Sequence, residues 1–203
     1  MLANVADVMA GVVSAERERA ACEYPCVVPS QINRDGLVGA FGVLRHAAIT
    51  EETRFLRRGD VLLRRLNPGG AVVYEGDDGR VLPSINVLVV RPGPEVLPDY
   101  LAFLFDASPI LPRLLQRSGV GSAVSSLSPR RLGEAVIPVP PRDTQFRLAN
   151  AWRASLRAEA ALRARAEAHN RFRRLLGEAA LRPRSTAFHD AAGAASLSSE
   201  GQA

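Results

Sequence analysis

The chain has 203 residues, with 47% hydrophobic and 23% charged, which fits an ordinary folded domain plus an appendage and excludes a chain disordered throughout. No run approaches the ~20 apolar residues of a membrane span, and Cys22 and Cys26 alone exclude a secreted disulfide scaffold and fall short of a four-ligand zinc site. All 26 basic residues are arginine, so phosphate-loop, Schiff-base and lysine-dependent nuclease chemistry are excluded. The formal charge of +5 is unevenly placed. Residues 1–141 hold 15 Arg against 15 acids, residues 142–184 hold 11 Arg against 4, and the tail from Ser185 holds only Asp190 and Glu200. The basic character therefore belongs to one segment. The first eleven residues carry no basic stretch followed by an apolar one, so no export signal is expected and the protein is expected in the cytoplasm.

In chain order, short apolar runs bounded by Gly, Pro or Asp predict strands at Tyr24–Val28, Val61–Arg65, Ala71–Tyr74, Ile85–Val90 and Ala135–Val139. Arg58-Gly59-Asp60 reads as a turn, and Asp77-Asp78-Gly79 as a turn closing a hairpin. Pro98 opens one helix. Ser108-Pro109 caps and opens a second that stops at Gly119, and Ser128-Pro129 a short third that ends near Gly133. From the N-cap Asp143 to Leu181 there is no proline, which predicts one helix of about 58 Å. Counting in sevens gives Leu148, Ser155, Leu162, His169 and Leu176 on one row, with Ala151, Ala158, Arg165, Phe172 and Ala179 beside it. That narrow seam suits another helix, and the residues expected to face a partner are Leu148, Trp152, Leu162, His169, Phe172 and Leu176. The expected division is a domain at 1–141, a partner helix at 142–182 and a disordered tail at 183–203.

Enzymatic constellations are scarce. His46, His169 and His189 are scattered, and Cys22, Cys26 and His46 make at most a three-ligand set, so no metal site, no cofactor and no catalytic residue is expected. Binding groups are better represented. Ser30, Gln31, Asn33 and Arg34 sit in a polar turn after a strand, and amides pair bidentately with adenine as arginine does with guanine. The competing reading is a turn in which Asn33 and Asp35 bond their own backbone. Arg64 and Arg65, on opposite faces of a strand end, precede the loop that holds Asn67. Ser118–Ser128, which includes Ser122 and no acid, followed by Arg130 and Arg131 at a helix start, is a candidate phosphate cradle.

The order of these pieces resembles a target recognition domain of type I restriction-modification DNA specificity subunits, the HsdS family. The resemblance runs from Val5-Ala6-Asp7-Val8 and Gly11 through Pro29-Ser30-Gln31-Ile32-Asn33, Arg58-Gly59-Asp60-Val61 and Ile85–Pro92 to Leu127-Ser128-Pro129 and Pro140-Pro141 followed by Gln145. It covers roughly residues 3 to 181 and departs where that family commonly has glycine at the position of Asn67 and an acid at that of Thr144. It implies an α+β fold, a mixed α/β recognition domain of short strands followed by one long spacer helix. It also implies a non-catalytic subunit that reads double-stranded DNA. Its partners would be a DNA methyltransferase, which carries the S-adenosylmethionine, and in some systems a restriction and translocase subunit. That family usually carries two recognition domains and two helices in one chain, whereas this sequence has one of each. A homodimer through the helix is therefore expected, reading a bipartite palindrome as part of antiphage defence. The alternatives are an exchangeable recognition module that pairs with a full-length specificity subunit, or a helical adaptor that binds only protein.

Overall fold

The structure is a computed structural model and describes residues 1–14, 22–34, 36–49, 54–116 and 126–181. Nine strands and four helices are found among them: β1 (Ala6–Ala10), β2 (Cys22–Val27), β3 (Ile32–Asn33), β4 (Gly36–Leu37), β5 (Gly42–His46), β6 (Val61–Arg64), β7 (Val72–Val73), β8 (Leu82–Pro83), β9 (Val87–Pro92), α1 (Pro98–Ala107), α2 (Ile110–Gln116), α3 (Pro129–Gly133) and α4 (Arg142–Leu181). Contacts within the chain divide it into a first unit, Met1–Ala160, and a second from Ala161. No helix among the described residues is long and apolar enough to cross a membrane.

The first unit is built on an antiparallel sheet ordered β1-β9-β6-β7. Because side chains alternate along a strand, β6 and β9 divide their residues between two cores. Val61, Leu63, Leu88 and Val90 join α1, α2, α3 and Trp152 on one face, and Leu62, Val87 and Val89 join Val27, Ile32, Leu56 and Tyr74 on the other. A strand covered on both faces has no polar side to show, which is why 61–63 and 87–90 are unbroken apolar runs. A second sheet, β5-β2-β8, combines an antiparallel and a parallel pair, and a bridge between Val12 and Ser84 connects the end of β1 to it. The chain passes closely there. A Cβ on Gly11 would lie 2.0 Å from the Ser84 carbonyl oxygen, so only glycine fits.

Two buried polar residues fix the frame. Asp60, 1% exposed, takes Arg91 Nε and a terminal Arg91 nitrogen at 2.8 Å each and also accepts from the Arg57 amide, while Arg91 donates to the Phe55 carbonyl. The hydrogen bond to Asp60 raises the pKa of Arg91, against its burial. Gln145, also 1% exposed, accepts from the Leu97 amide and donates to the Glu95 and Pro140 carbonyls, tying the start of α4 to the segment before α1.

Several expectations are corrected. Residues 135–139 form no strand and pair with none among the described residues; Pro138 and Pro140 have no N–H to give a ladder. Asp77-Asp78-Gly79 turns, with Gly79 at φ 73°, but β7 and β8 enter different sheets, so it closes no hairpin. Strands β1, β3, β4, β5 and β8 were not expected from their local pattern. The turn at Gly59 (φ 93°), the helix opened by Pro98 and the Ser128 cap of α3 are found where expected, and so is the long helix, except that it begins at Arg142 and Asp143 lies inside its first turn instead of capping it. The predicted stop at Gly119, Ser122 with most of its loop, Asp35 and the tail from 183 lie outside the described residues.

Candidate nucleic-acid interface

Strands β3 and β4 form a small antiparallel pair, Ile32 opposite Leu37 and Asn33 opposite Gly36. Its turn exposes Asn33, whose Oδ1 accepts from the Arg34 amide at 2.7 Å. That local bond is the backbone-capping role weighed against base reading. It uses one lone pair of the oxygen and leaves the amide nitrogen without a hydrogen-bond partner among the described residues.

The loop after β6 lies against this turn. Asn67 has φ 46°, the left-handed conformation that asparagine tolerates where glycine is usual, and Gly70 has φ 72°. A Cβ on Gly70 would meet Arg34 Cγ at 3.4 Å. Arg64 turns back to donate to the Gly69 carbonyl at 3.0 Å, so it braces the loop from inside. Of the two arginines at this strand end, Arg64 is thus the inward one; Arg65 is half-buried and contributes its backbone, which receives the Leu127 amide at 2.9 Å beside a Leu66–Ser126 bridge. The residue that leaves the serine-rich loop therefore sits against the Asn67 loop. Turn 33–34, loop 66–70 and Ser126 form one polar edge of the first unit.

Other expected residues fall elsewhere or do other work. Gln31 is buried, with its Oε1 taking the Val28 amide and its Nε2 donating to the Ala40 carbonyl, so it is corrected from base reader to a brace within its own loop. Arg34 donates to Asp106 at 3.0 Å. Ser30 is exposed on the turn before β3. Ser128 caps α3 by accepting from the Arg131 amide, and Arg130 pairs with Glu134 four residues on, at the C-cap of that short helix. Cys22 stands opposite His46 across β2 and β5, Cys26 is buried, and no group of three potential metal ligands occurs among the described residues.

Along α4, the residues buried in the first unit are Gln145, Ala149 and Trp152, with Leu156 packed beside them. Trp152 is therefore corrected from partner-facing to core: it is 9% exposed and its Nε1 donates to Asp106 at 3.0 Å. The row Leu148–Ser155–Leu162 lies on a different side of the helix from that stripe, and Leu148 is exposed. In the second unit the described residues are all exposed, among them His169 and the apolar Leu162, Phe172, Leu175 and Leu176.

No family model matches the chain, and the search of curated proteins finds no significant match. Solved structures do match. The HsdS subunit from Thermoanaerobacter tengcongensis superposes with a TM-score of 0.58 at 21% identity, over 92% of this chain and 49% of that one. The chain has the fold of an HsdS subunit. A chain from a structure of a type I R-M system, described for its complex assembly and conformational transition, gives 0.60 at 19% identity over 86% of this chain and 42% of that one. The present chain thus spans somewhat under half the length of either structure.

Proposed function

We propose that this chain is a DNA-sequence-reading module of a type I restriction-modification system. It holds no catalytic centre of its own and directs a methyltransferase, and in some assemblies a restriction subunit, to double-stranded DNA in the cytoplasm. The observation that carries the reading is the HsdS fold over 92% of the chain, with a polar edge made by turn 33–34, loop 66–70 and Ser126. On this reading Asn33, Asn67 and Arg65 face bases or phosphates, Arg130 and Arg131 face phosphates, and Arg64 holds the loop that presents them. The exposed row Leu148, Leu162, His169 and Leu176, with Phe172 on the row beside it, supports helix pairing between two copies, and a two-fold dimer reads a palindrome with a gap.

The test is selection of duplexes from a random library by the purified chain, with and without its methyltransferase. Enrichment of an interrupted palindrome is the expected result. One uninterrupted, asymmetric half would overturn the homodimer. Failure to enrich anything, even with the methyltransferase present, would overturn DNA reading and favour an adaptor that binds protein alone.

A further inference from the structure

Arg34 looks like a DNA contact, since it is an arginine in an exposed turn beside Asn33 and its side chain is 48% exposed, yet its Nε is engaged by the fold. Its Nε donates to Asp106 Oδ1 at 3.0 Å, and the other Asp106 oxygen receives Trp152 Nε1 at 3.0 Å. The Asp106 side chain is only 4% exposed, so both oxygens are occupied by one donor from the turn and one from α4. Asp106 lies in the last turn of α1, where a carboxylate opposes the helix dipole, so its placement does not serve that helix. Glu159, also on α4, stands 3.8 Å from the Arg34 guanidinium in an exposed pair. The stem of Arg34 lies next to Gly70 (φ 72°), where an added Cβ would meet Arg34 Cγ at 3.4 Å. One arginine therefore borders both the turn that carries Asn33 and the loop that carries Asn67.

We propose that Asp106 and Arg34 are positioning residues for sequence reading: Asp106, held by Trp152, fixes Arg34, and Arg34 sets where Asn33 and the Asn67 loop stand without touching DNA itself. The proposal rests on the DNA-reading function above. It assigns to a residue of α1 and to the indole of α4 an influence on base preference, although both are shielded from any duplex. The pair is charge-assisted and its acceptor is buried, so it holds a defined geometry where an exposed ion pair would fluctuate.

The test compares duplex selection and salt-dependent affinity for the full chain and for Arg34→Ala, Asp106→Ala, the double variant and Trp152→Phe, which keeps the ring and removes its N–H. The expected result is a loss of about tenfold in discrimination at the same base positions for both single variants. The double variant should lose no more than either, because the residues act through one bond. Affinity for non-specific DNA and its salt slope should not change, and Trp152→Phe should give a smaller loss at those positions. If Arg34 contacts DNA directly, Arg34→Ala lowers the salt slope and its effect adds to that of Asp106→Ala; that result overturns the proposal. A lower melting temperature with base preference intact also overturns it, by making the cluster purely structural. A parent chain that enriches no sequence overturns the DNA-reading function and this inference together, whereas a parent that enriches while its variants keep full preference overturns this inference alone.

Discussion

At the scale of single residues, what decides whether a polar side chain serves the fold or stays open to a ligand is burial, which the side-chain type does not reveal. Gln31 and Asn33 carry the same amide two positions apart; one is buried and bonded at both ends within its loop, and the other is exposed in the turn. The arginine-Gly-Asp run is legible as a turn, but the partner of Asp60 is Arg91, 31 residues away on β9, and no local pattern announces that distance. Removing the carboxylate by Asp60→Ala takes the counter-charge from a mostly buried guanidinium that keeps its bond to the Phe55 carbonyl, and should cost about 3 kcal/mol, read as a lower urea midpoint. Gly11→Ala should cost roughly 1–3 kcal/mol, because its methyl would meet the backbone carbonyls of Ser84 and Pro83, which cannot move without loosening their hydrogen bonds from the Val87 and Val12 amides. A wild-type midpoint in either variant would refute the account of that residue. At high pH the sign is set by Tyr74, raised by burial and then by Asp77, Asp78 and Asp60, and by Tyr100, raised by burial. A tyrosine whose folded pKa is raised contributes stability below its unfolded value near 10 and loses it as pH rises through the folded value. Chemical denaturation should therefore show stability insensitive to these tyrosines at pH 8 and falling above pH ~10, and Tyr74→Phe should lessen the fall.

At the scale of elements, the strands that were legible are those with unbroken apolar runs, β6 and β9, because burial on both faces leaves the clearest compositional trace. Short pairs such as β3 and β4 are held by tertiary register, and two residues carry too little periodicity to show it. The continuous helix α4 was legible from the lack of proline, but its faces were only partly so. Heptad counting found the exposed row and missed that Gln145, Ala149 and Trp152 form a separate stripe used by the first unit. Burial of one stripe leaves the apolar row exposed, and on the proposed pairing of two copies this gives a prediction confined to α4. Replacing Leu162, Phe172 and Leu176 by serine should abolish self-association in sedimentation, while the thermal transition of the first unit stays within a few degrees of the parent. Dimers that survive would remove this row from the interface.

At the scale of the whole molecule, charge and contacts divide in different places. The net-neutral sequence ends near residue 141, whereas the contacts of the first unit extend to Ala160 and include the opening turns of α4 with Trp152 and Arg153. Arg153 is held there by Asp99 and, at 3.4 Å, by Glu75, so it belongs to the fold more than to a solvent-facing basic surface. Arg142, Arg147 and Arg157 also precede Ala160, and the other seven arginines of the positive segment follow it. If DNA reading resides in the first unit and the later arginines add only phosphate contacts, the two contributions should separate on truncation. A chain ending at Ala160 should keep its fold and, within each half-site, the base preference of the full chain. Its binding should respond more weakly to salt: the full chain, with about six phosphates neutralised, has an expected log–log slope near −5, and the truncated chain a shallower one. Titration of a selected duplex and of an unrelated one between 50 and 200 mM salt would measure both slopes. An unchanged slope would place the later arginines against protein, and lost half-site preference would place sequence reading in the second unit.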